Sequence, residues 1–204
     1  TLSASSAASD VYKRQFMYPL LICSVLIFAI SIERFWFLQE RLVSPKGLRF
    51  QVTNLLNRSK LDLKQRQNIA DISALGLLLM TAYKYKDLKR EGLESKLNET
   101  GSEVRFVLER NLTMLGTIAT ISPLLGLLGT VVGMIVAFTG LTATGGADSD
   151  VLALGISQAL ITTAFGLSVA VPGLVLHKYF EQRISHLLLI LQSETSEFID
   201  FINK

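Results

Sequence analysis

Three long runs of the sequence contain no charged side chain, and these runs restrict the possible folds more than any other feature. They cover residues 16–32, 111–147 and 151–176. A helix needs about 20 mainly apolar residues to cross a bilayer, so the runs predict three transmembrane helices. Charged residues make up only 18% of the chain, below the share found in soluble domains. We therefore predict an all-α membrane protein whose helices extend far into the cytoplasm.

The charged segments between and after these runs complete the predicted organisation. The predicted parts are a disordered or non-native leader at 1–15, transmembrane helices at 16–38, 111–142 and 152–176, a cytoplasmic helical domain at 39–110, a periplasmic hairpin at 143–151 and a cytoplasmic amphipathic helix at 177–204. The leader is rich in Ser and Ala and lacks the apolar core of a signal peptide. Apolar residues recur at helical spacing in the last segment, which favours packing against the inner domain. The alternative is a tail on the membrane surface, which its excess of acids disfavours.

Basic residues predict the orientation of the chain. Of the 20 Lys and Arg residues, 15 lie between Glu33 and Arg110, whereas the hairpin contains Asp148 and Asp150 but no base. Segments rich in Lys and Arg stay on the cytoplasmic side, so we expect a periplasmic N-terminus and a cytoplasmic C-terminus. This distribution also accounts for the net charge of +3, and we expect no nucleic-acid partner.

Small residues line one side of the second predicted span. At 100° per residue, Gly126, Gly129 and Gly133 fall on one narrow arc. Helices in lipid associate by close packing at small residues, so we predict a helix-packing seam here. Thr130 lies at its edge, and its hydroxyl faces a neighbouring helix or cavity, or bonds back to the carbonyl of residue 126. Thr113, Thr117 and Thr120 form a separate hydroxyl stripe nearer the cytoplasm.

The third predicted span has a matching small and polar face. Its members are Gly155, Gln158, Ala159, Thr162, Gly166 and Ala170, with Thr163 directly beside them. The two faces either enclose a pathway together or pack against each other and against copies of themselves. Proline interrupts the hydrogen bonding of a helix, so kinks are predicted at Pro123 and Pro172.

Neither the second nor the third span contains an Asp, Glu, Lys, Arg or His. Proton relays in membranes ordinarily use ionisable side chains, so a partner would have to supply the titrating group. Threonine hydroxyls would then bond that group or hold a short water chain. The sequence has no nucleophile elbow, zinc motif or phosphate loop, and Cys23 is its only cysteine. We expect no enzyme activity, no metal and no cofactor.

Three runs of sequence resemble the ExbB/TolQ/MotA proton-channel family. They are YPLLICSVLIFAISIERFWFL at 18–38, SPLLGLLGTVVGM at 122–134 and GISQALITTAFGLSVAVP at 155–172. The resemblance covers nearly everything after Gln15. Three spans with a large inner segment resemble the ExbB and TolQ branch, since MotA-type members have four spans. The third run is closer to ExbB.

The resemblance implies a ring subunit of a motor driven by the proton motive force. In the ExbB branch, a pentameric ring encloses a pore that holds the helices of an ExbD-like single-span partner. A membrane aspartate on that partner exchanges protons and so energises TonB in the bacterial inner membrane. Thr130 and Thr163 match the family's pore threonines, and we expect Thr162 and Gln158 beside them.

One position departs from the family pattern. Many ExbB-like members have a glutamate at the position of Gln158, and glutamine keeps the hydrogen bonding but cannot titrate. Two alternatives stay open: a TolQ-type subunit of the Tol-Pal envelope system, and a structural scaffold that conducts no protons.

Overall fold

The computed structural model describes residues 2–58, 62–143 and 149–202. These residues form helices and connecting turns, with no β-strand among them. The helices are α1 (Leu2–Phe37), α2 (Glu40–Val43), α3 (Leu48–Arg58), α4 (Leu63–Ile72), α5 (Ala74–Lys84), α6 (Arg90–Glu109), α7 (Leu112–Ala143) and α8 (Ser149–Ile202).

Three helices are long and apolar enough to cross a membrane. The candidate spans are Met17–Phe37 in α1, Leu112–Gly140 in α7 and Leu152–Ile202 in α8. The prediction of an all-α membrane protein with three apolar helices is therefore confirmed. Helix α8 continues without a break through the segment predicted to form the cytoplasmic amphipathic helix.

One predicted boundary differs from the helices of the structure, and another lies mostly outside the described residues. Helix α1 begins at Leu2, so residues 2–15 are helical and not disordered, and Pro19 lies inside the helix. The physical reason is that residues 2–18 contain no Gly or Pro to end a helix. The non-native origin of the leader stays a prediction. Most of the hairpin expected at residues 143–151, including Asp148, lies outside the described residues.

The chain divides into two compact units. The first, here called the membrane unit, consists of Thr1–Ile32 and Leu112–Lys178. Its three helices meet at Gly173 of α8, where a Cβ would lie 2.9 Å from both the Ala119 Cβ of α7 and the Ile27 Cδ1 of α1. Both neighbours are buried. A small residue at this position thus lets α8 contact both other helices.

The second unit, here called the helical unit, consists of Glu33–Asn111 and Tyr179–Lys204. Helix α5 supplies much of its core and begins at Ser73, whose hydroxyl accepts a hydrogen bond of 3.1 Å from the backbone N–H of Gly76. The apolar side chains that α8 contributes are fully buried within the unit: Phe180, Ile184, Leu187, Leu191 and Phe198. Apolar residues at this spacing on a helix form one core-facing stripe.

Helix α6 ends just before α7 begins. The sequence favours a helix that runs directly into the second span, with Gly92 and Gly101 as possible interruptions; instead α6 continues through both glycines and stops at Glu109. At this end Arg34 Nη1 donates a hydrogen bond of 3.0 Å to the carbonyl of Leu108. A cation at a helix C-terminus satisfies its last carbonyls and opposes the helix dipole.

The Arg34 guanidinium is also fully paired on its other side. Its Nε and Nη2 donate to the two carboxylate oxygens of Glu33 at 2.9 and 2.7 Å. Asn111 Nδ2 donates to the same carboxylate at 2.9 Å. The Arg34 side chain is only 2% exposed, and a buried charge requires this degree of pairing.

Candidate functional site

Helices α7 and α8 approach each other most closely at two facing glycines. A Cβ on Gly126 would lie 3.2 Å from the Thr163 Cα and 3.3 Å from the Gly166 Cα. A Cβ on Gly166 would lie 2.9 Å from the carbonyl oxygen of Ser122 and 3.0 Å from the Gly126 Cα. The obstructing atoms all belong to the backbone. Only glycine permits the two helices to lie this close.

The same seam continues along both helices beyond this contact. Its further pairs are Gly129 with Thr162, Gly133 with Ala159, and Gly155 with Ala137. The five glycines predicted to pack helices, Gly126, Gly129, Gly133, Gly155 and Gly166, are thus brought together between α7 and α8 of one chain. Close packing of small residues is the main source of helix association in lipid.

Thr162 lies inside this seam and not at an open surface. Its methyl group Cγ2 fills the space left by Gly129, and its hydroxyl donates to the backbone carbonyl of Gln158 at 3.1 Å. Thr162 was predicted from the sequence to line the pore. In the structure its side chain packs against Gly129 of α7. The Gln158 side chain is half-buried on the same helix.

Thr163 joins the two helices through its hydroxyl. Its Oγ1 donates a hydrogen bond of 3.0 Å to the carbonyl oxygen of Gly126 on α7. This bond depends on the seam, because only a close approach of the helices brings a short side chain within reach of the opposite backbone. Hydrogen bonds between membrane helices contribute about 0.6 kcal/mol on average and up to about 1.7.

Thr130 lies half-buried at the edge of the seam. Its hydroxyl donates a hydrogen bond of 2.7 Å to the backbone carbonyl of Leu127. The alternative predicted from the sequence was a bond to the carbonyl of residue 126. The carbonyl of Gly126 instead accepts the bond from Thr163. A hydroxyl has one proton to donate and two lone pairs to accept with. Thr130 and Thr163 both use that proton on backbone carbonyls, so their oxygens remain as acceptors.

The hydroxyl stripe of α7 is bonded in the same way. Thr117 donates to the carbonyl of Thr113 at 2.8 Å, and Thr120 donates to those of Gly116 and Thr117 at 2.9 Å each. All three threonine side chains are exposed in the single chain. The hydroxyl oxygens of Thr117 and Thr120 therefore remain as acceptors on a mainly apolar helix.

The remaining site predictions concern prolines and ionisable groups. Pro123 and Pro172 lie inside α7 and α8, where each removes a backbone donor; the kinks remain predictions. No charged residue or histidine occurs in the seam-forming parts of the two helices. No cluster of three or more His, Cys, Asp or Glu side chains occurs within the part of the chain that the structure describes.

Two close-approach glycines of the membrane unit were not singled out from the sequence. Gly173 lies seven residues after Gly166, on the same face two turns later, so a longer periodicity search would have found it. Gly116 falls outside the arc of the seam, and its neighbour is the imidazole of His177. No periodic signal links these two residues.

Comparison with known proteins identifies the family. The model of the MotA/TolQ/ExbB proton channel family matches residues 64–193, which include the whole α7–α8 seam. The chain belongs to the MotA/TolQ/ExbB proton channel family. The resemblance seen in the three sequence runs is thereby confirmed.

Two ExbB-named relatives align with most of the chain, and a TolQ relative aligns with nearly half of it. An ExbB-like biopolymer transport protein of Synechocystis sp. is 32% identical over 188 residues, covering 89% of this chain and 70% of the relative. Biopolymer transport protein exbB1 of Vibrio cholerae is 35% identical over 163 residues, covering 76% and 70%. The Tol-Pal system protein TolQ of Haemophilus influenzae is 36% identical over 93 residues, covering 46% and 39%.

Proposed function

We propose that this chain is a ring subunit of a motor of the ExbB–ExbD type in the bacterial inner membrane. The motor uses the proton motive force to energise TonB-dependent transport across the outer membrane. Membership of the proton channel family and ExbB-named relatives that align with most of the chain support the proposal. The concentration of basic residues between Glu33 and Arg110 supports a periplasmic N-terminus and a cytoplasmic C-terminus.

The proton-binding carboxylate of this motor belongs to a second protein. The seam-forming parts of α7 and α8 contain no group that takes up a proton near neutral pH. An ExbD-like single-span partner with a membrane aspartate, held in the pore of a pentameric ring of this chain, supplies that group. A TonB-like protein receives the resulting motion.

The bonding of the two matched threonines is the observation that supports conduction. Thr163 donates to Gly126 at 3.0 Å and Thr130 to Leu127 at 2.7 Å, so both oxygens act as acceptors. An acceptor binds water or a protonated carboxylic acid, which has an O–H to donate, and not an ionised carboxylate. These oxygens therefore stabilise the partner's aspartate in its neutral form while it lies in the pore.

Removing both hydroxyls tests this mechanism. Thr130→Ala combined with Thr163→Ala should abolish TonB-dependent uptake of an iron chelate while the purified complex keeps its partner and its ring size. The double Thr→Ser variant keeps both hydroxyls and should retain uptake. Thr139→Ala is a matched control, because Thr139 also bonds back to its own helix and lies about 180° from Thr130 on α7.

Two outcomes would contradict the proposed mechanism. Normal uptake by the double alanine variant would remove these hydroxyls from the proton pathway. If the wild-type complex, reconstituted in vesicles, passed no protons under a pH gradient, the chain would instead be a structural scaffold for its partner.

A TolQ-type role in the Tol-Pal envelope system is the second candidate, since TolQ of Haemophilus influenzae is 36% identical over 46% of this chain. Expression in cells that lack ExbB and in cells that lack TolQ separates the two roles. Restored chelate uptake supports the ExbB role. If the chain restored only the detergent resistance of the TolQ-deficient cells, the result would support the TolQ-type role and contradict the ExbB role.

A further inference from the structure

A histidine of α8 contacts α7 beyond the end of the seam, whose own residues are small. A Cβ on Gly116 would lie 2.7 Å from Nε2 and 2.8 Å from Cδ2 of His177. The imidazole therefore lies directly against the backbone of α7, in space that only a glycine leaves open. His177 is half-buried, so part of the ring remains accessible.

His177 and Gly116 are aligned with the two matched threonines. Gly116 precedes Thr130 by 14 residues on α7, and His177 follows Thr163 by 14 residues on α8. Fourteen residues make almost four full turns of a helix, and only about 40° is missing. Gly116 therefore lies nearly in line with Thr130 along α7, and His177 lies nearly in line with Thr163 along α8. The rise of about 1.5 Å per residue separates the pairs by about 21 Å. This distance excludes direct proton transfer and requires water between them.

The closely packed seam leaves no room for that water, because Gly126 and Gly166 lie in backbone contact. Water must instead run along the edge of the seam. Thr120 lies on this edge, because Thr130, Gly116 and Thr120 all fall within one arc of about 80° around the axis of α7. Its hydroxyl donates to the carbonyls of Gly116 and Thr117, so its oxygen is left to accept from water.

Few other titratable groups surround the imidazole in the membrane unit. Helix α7 has no charged residue between Leu112 and Ala143. The part of α1 from Met17 to Ile32 contains only Tyr18 and Cys23 as titratable side chains. On α8 the nearest charged residues are Lys178 and, one turn after His177, Glu181. His177 is the only histidine of this unit, and histidine can relay protons because one ring nitrogen accepts while the other donates.

We propose that His177 is the proton-exchange group at this end of the pathway, positioned by Gly116 and served by water on the Thr120 oxygen. The neutral ring accepts a proton on its free nitrogen from a hydronium ion of the pathway and then releases the proton of the other nitrogen to bulk water. Rotation of the ring restores the starting tautomer, and under the reverse gradient the two nitrogens exchange roles. This inference rests on the proposed proton-conducting function.

Proton flux through the complete complex in lipid vesicles tests the inference, with a pH-sensitive dye inside and the external pH varied from 5.5 to 8. His177→Gln keeps a hydrogen-bonding side chain but cannot titrate, so flux should fall by about tenfold or more and lose its pH dependence over this range. His186→Gln is the matched control: His186 is an exposed histidine further along α8, and this variant should behave like the wild type.

Two further variants separate proton exchange from packing. His177→Ala leaves a gap beside Gly116, and added imidazole should restore flux to this variant but not to Thr130→Ala. Gly116→Ala keeps the histidine but displaces the ring, so flux should fall although every titratable group is present.

The results distinguish failure of this inference from failure of the proposed function. Wild-type flux and pH profile in His177→Gln, with flux still lost in the double threonine variant, would refute the role of His177 alone. A fall in flux that is equal at every pH and is not restored by imidazole would make His177 a packing residue. Absence of flux in the wild-type complex would reject both.

Discussion

Replacing Gly166 by alanine should destabilise the membrane unit, because the added methyl group has no space. Its Cβ would lie 2.9 Å from the carbonyl oxygen of Ser122 and 3.0 Å from the Gly126 Cα. Favourable carbon contacts begin near 3.5 Å, so α7 and α8 would have to separate by about half an ångström. Both obstructing atoms belong to a helix backbone, which cannot rotate away.

The size of the effect follows from two opposing contributions. Forcing an extra methyl group into a closely packed contact costs about 1–3 kcal/mol. Alanine is favoured over glycine within a helix by about 0.5–1 kcal/mol. The difference of the midpoints gives a net loss of about 1 kcal/mol in the free energy of unfolding, within a range of about 0–2.5 kcal/mol.

Unfolding in detergent micelles by added SDS, followed by the helical circular dichroism signal, measures this loss. Gly101→Ala in α6 is the first control: nothing lies within 4 Å of its Cβ, so this variant should gain about 0.5–1 kcal/mol. Gly116→Ala is the second, since the obstructing atoms belong to the rotatable ring of His177 and the loss should be smaller than for Gly166→Ala. If Gly166→Ala were as stable as Gly101→Ala, the seam would not be packed as closely as described.

Three further substitutions test single interactions by the same unfolding measurement. Thr163→Val removes the hydroxyl bond to α7 and should cost about 0.6 kcal/mol, at most about 1.7, whereas Thr163→Ser should keep it. In Arg34→Lys, the lysine cannot donate two hydrogen bonds to the Glu33 carboxylate and also reach the Leu108 carbonyl. The free energy of unfolding should fall by about 1–3 kcal/mol, and wild-type stability of this variant would contradict the pairing. The pKa of the Glu99 carboxyl lies below its ordinary 4.5 because Lys96 donates a hydrogen bond to it. The ionised Glu99 carboxylate therefore contributes to folding stability above pH 4.5, and this contribution is lost as the pH falls through the lower pKa of Glu99 in the folded state. Glu99→Gln should remove this part of the acid sensitivity of folding stability.

The spans and the seam could be predicted from the sequence because both depend on short-range periodicity. Absence of charge over about 20 residues identifies a membrane helix whatever its neighbours are. Gly126, Gly129 and Gly133 recur at helical spacing, and the structure places them against α8. The extent of α1 was harder to predict, because Ser- and Ala-rich segments without Gly or Pro form helices as readily as they form leaders.

Interactions between distant residues could not be predicted in this way. Arg34 and Leu108 are 74 positions apart, and no repeat of the sequence relates an arginine to a particular backbone carbonyl. The bond from Thr163 to Gly126 spans 37 positions, and it changes which carbonyl Thr130 can use. A sequence pattern identifies the face on which a hydroxyl lies, but its partner depends on how closely the second helix approaches.

Under the proposed function, the glycine seam also restricts where protons can pass. A contact as close as that of Gly126 with Gly166 excludes water, so a pathway must follow the edge of the seam where Thr130 lies. The hydroxyl proton of Thr130 is held by its own helix, so its oxygen is available at this edge as an acceptor and not as a donor. An aspartate at such an edge is stabilised when it is protonated and disfavoured when it is ionised. In the proposed motor, we therefore expect the partner's aspartate to pass this edge as the neutral acid and to ionise only at the two ends of the pathway.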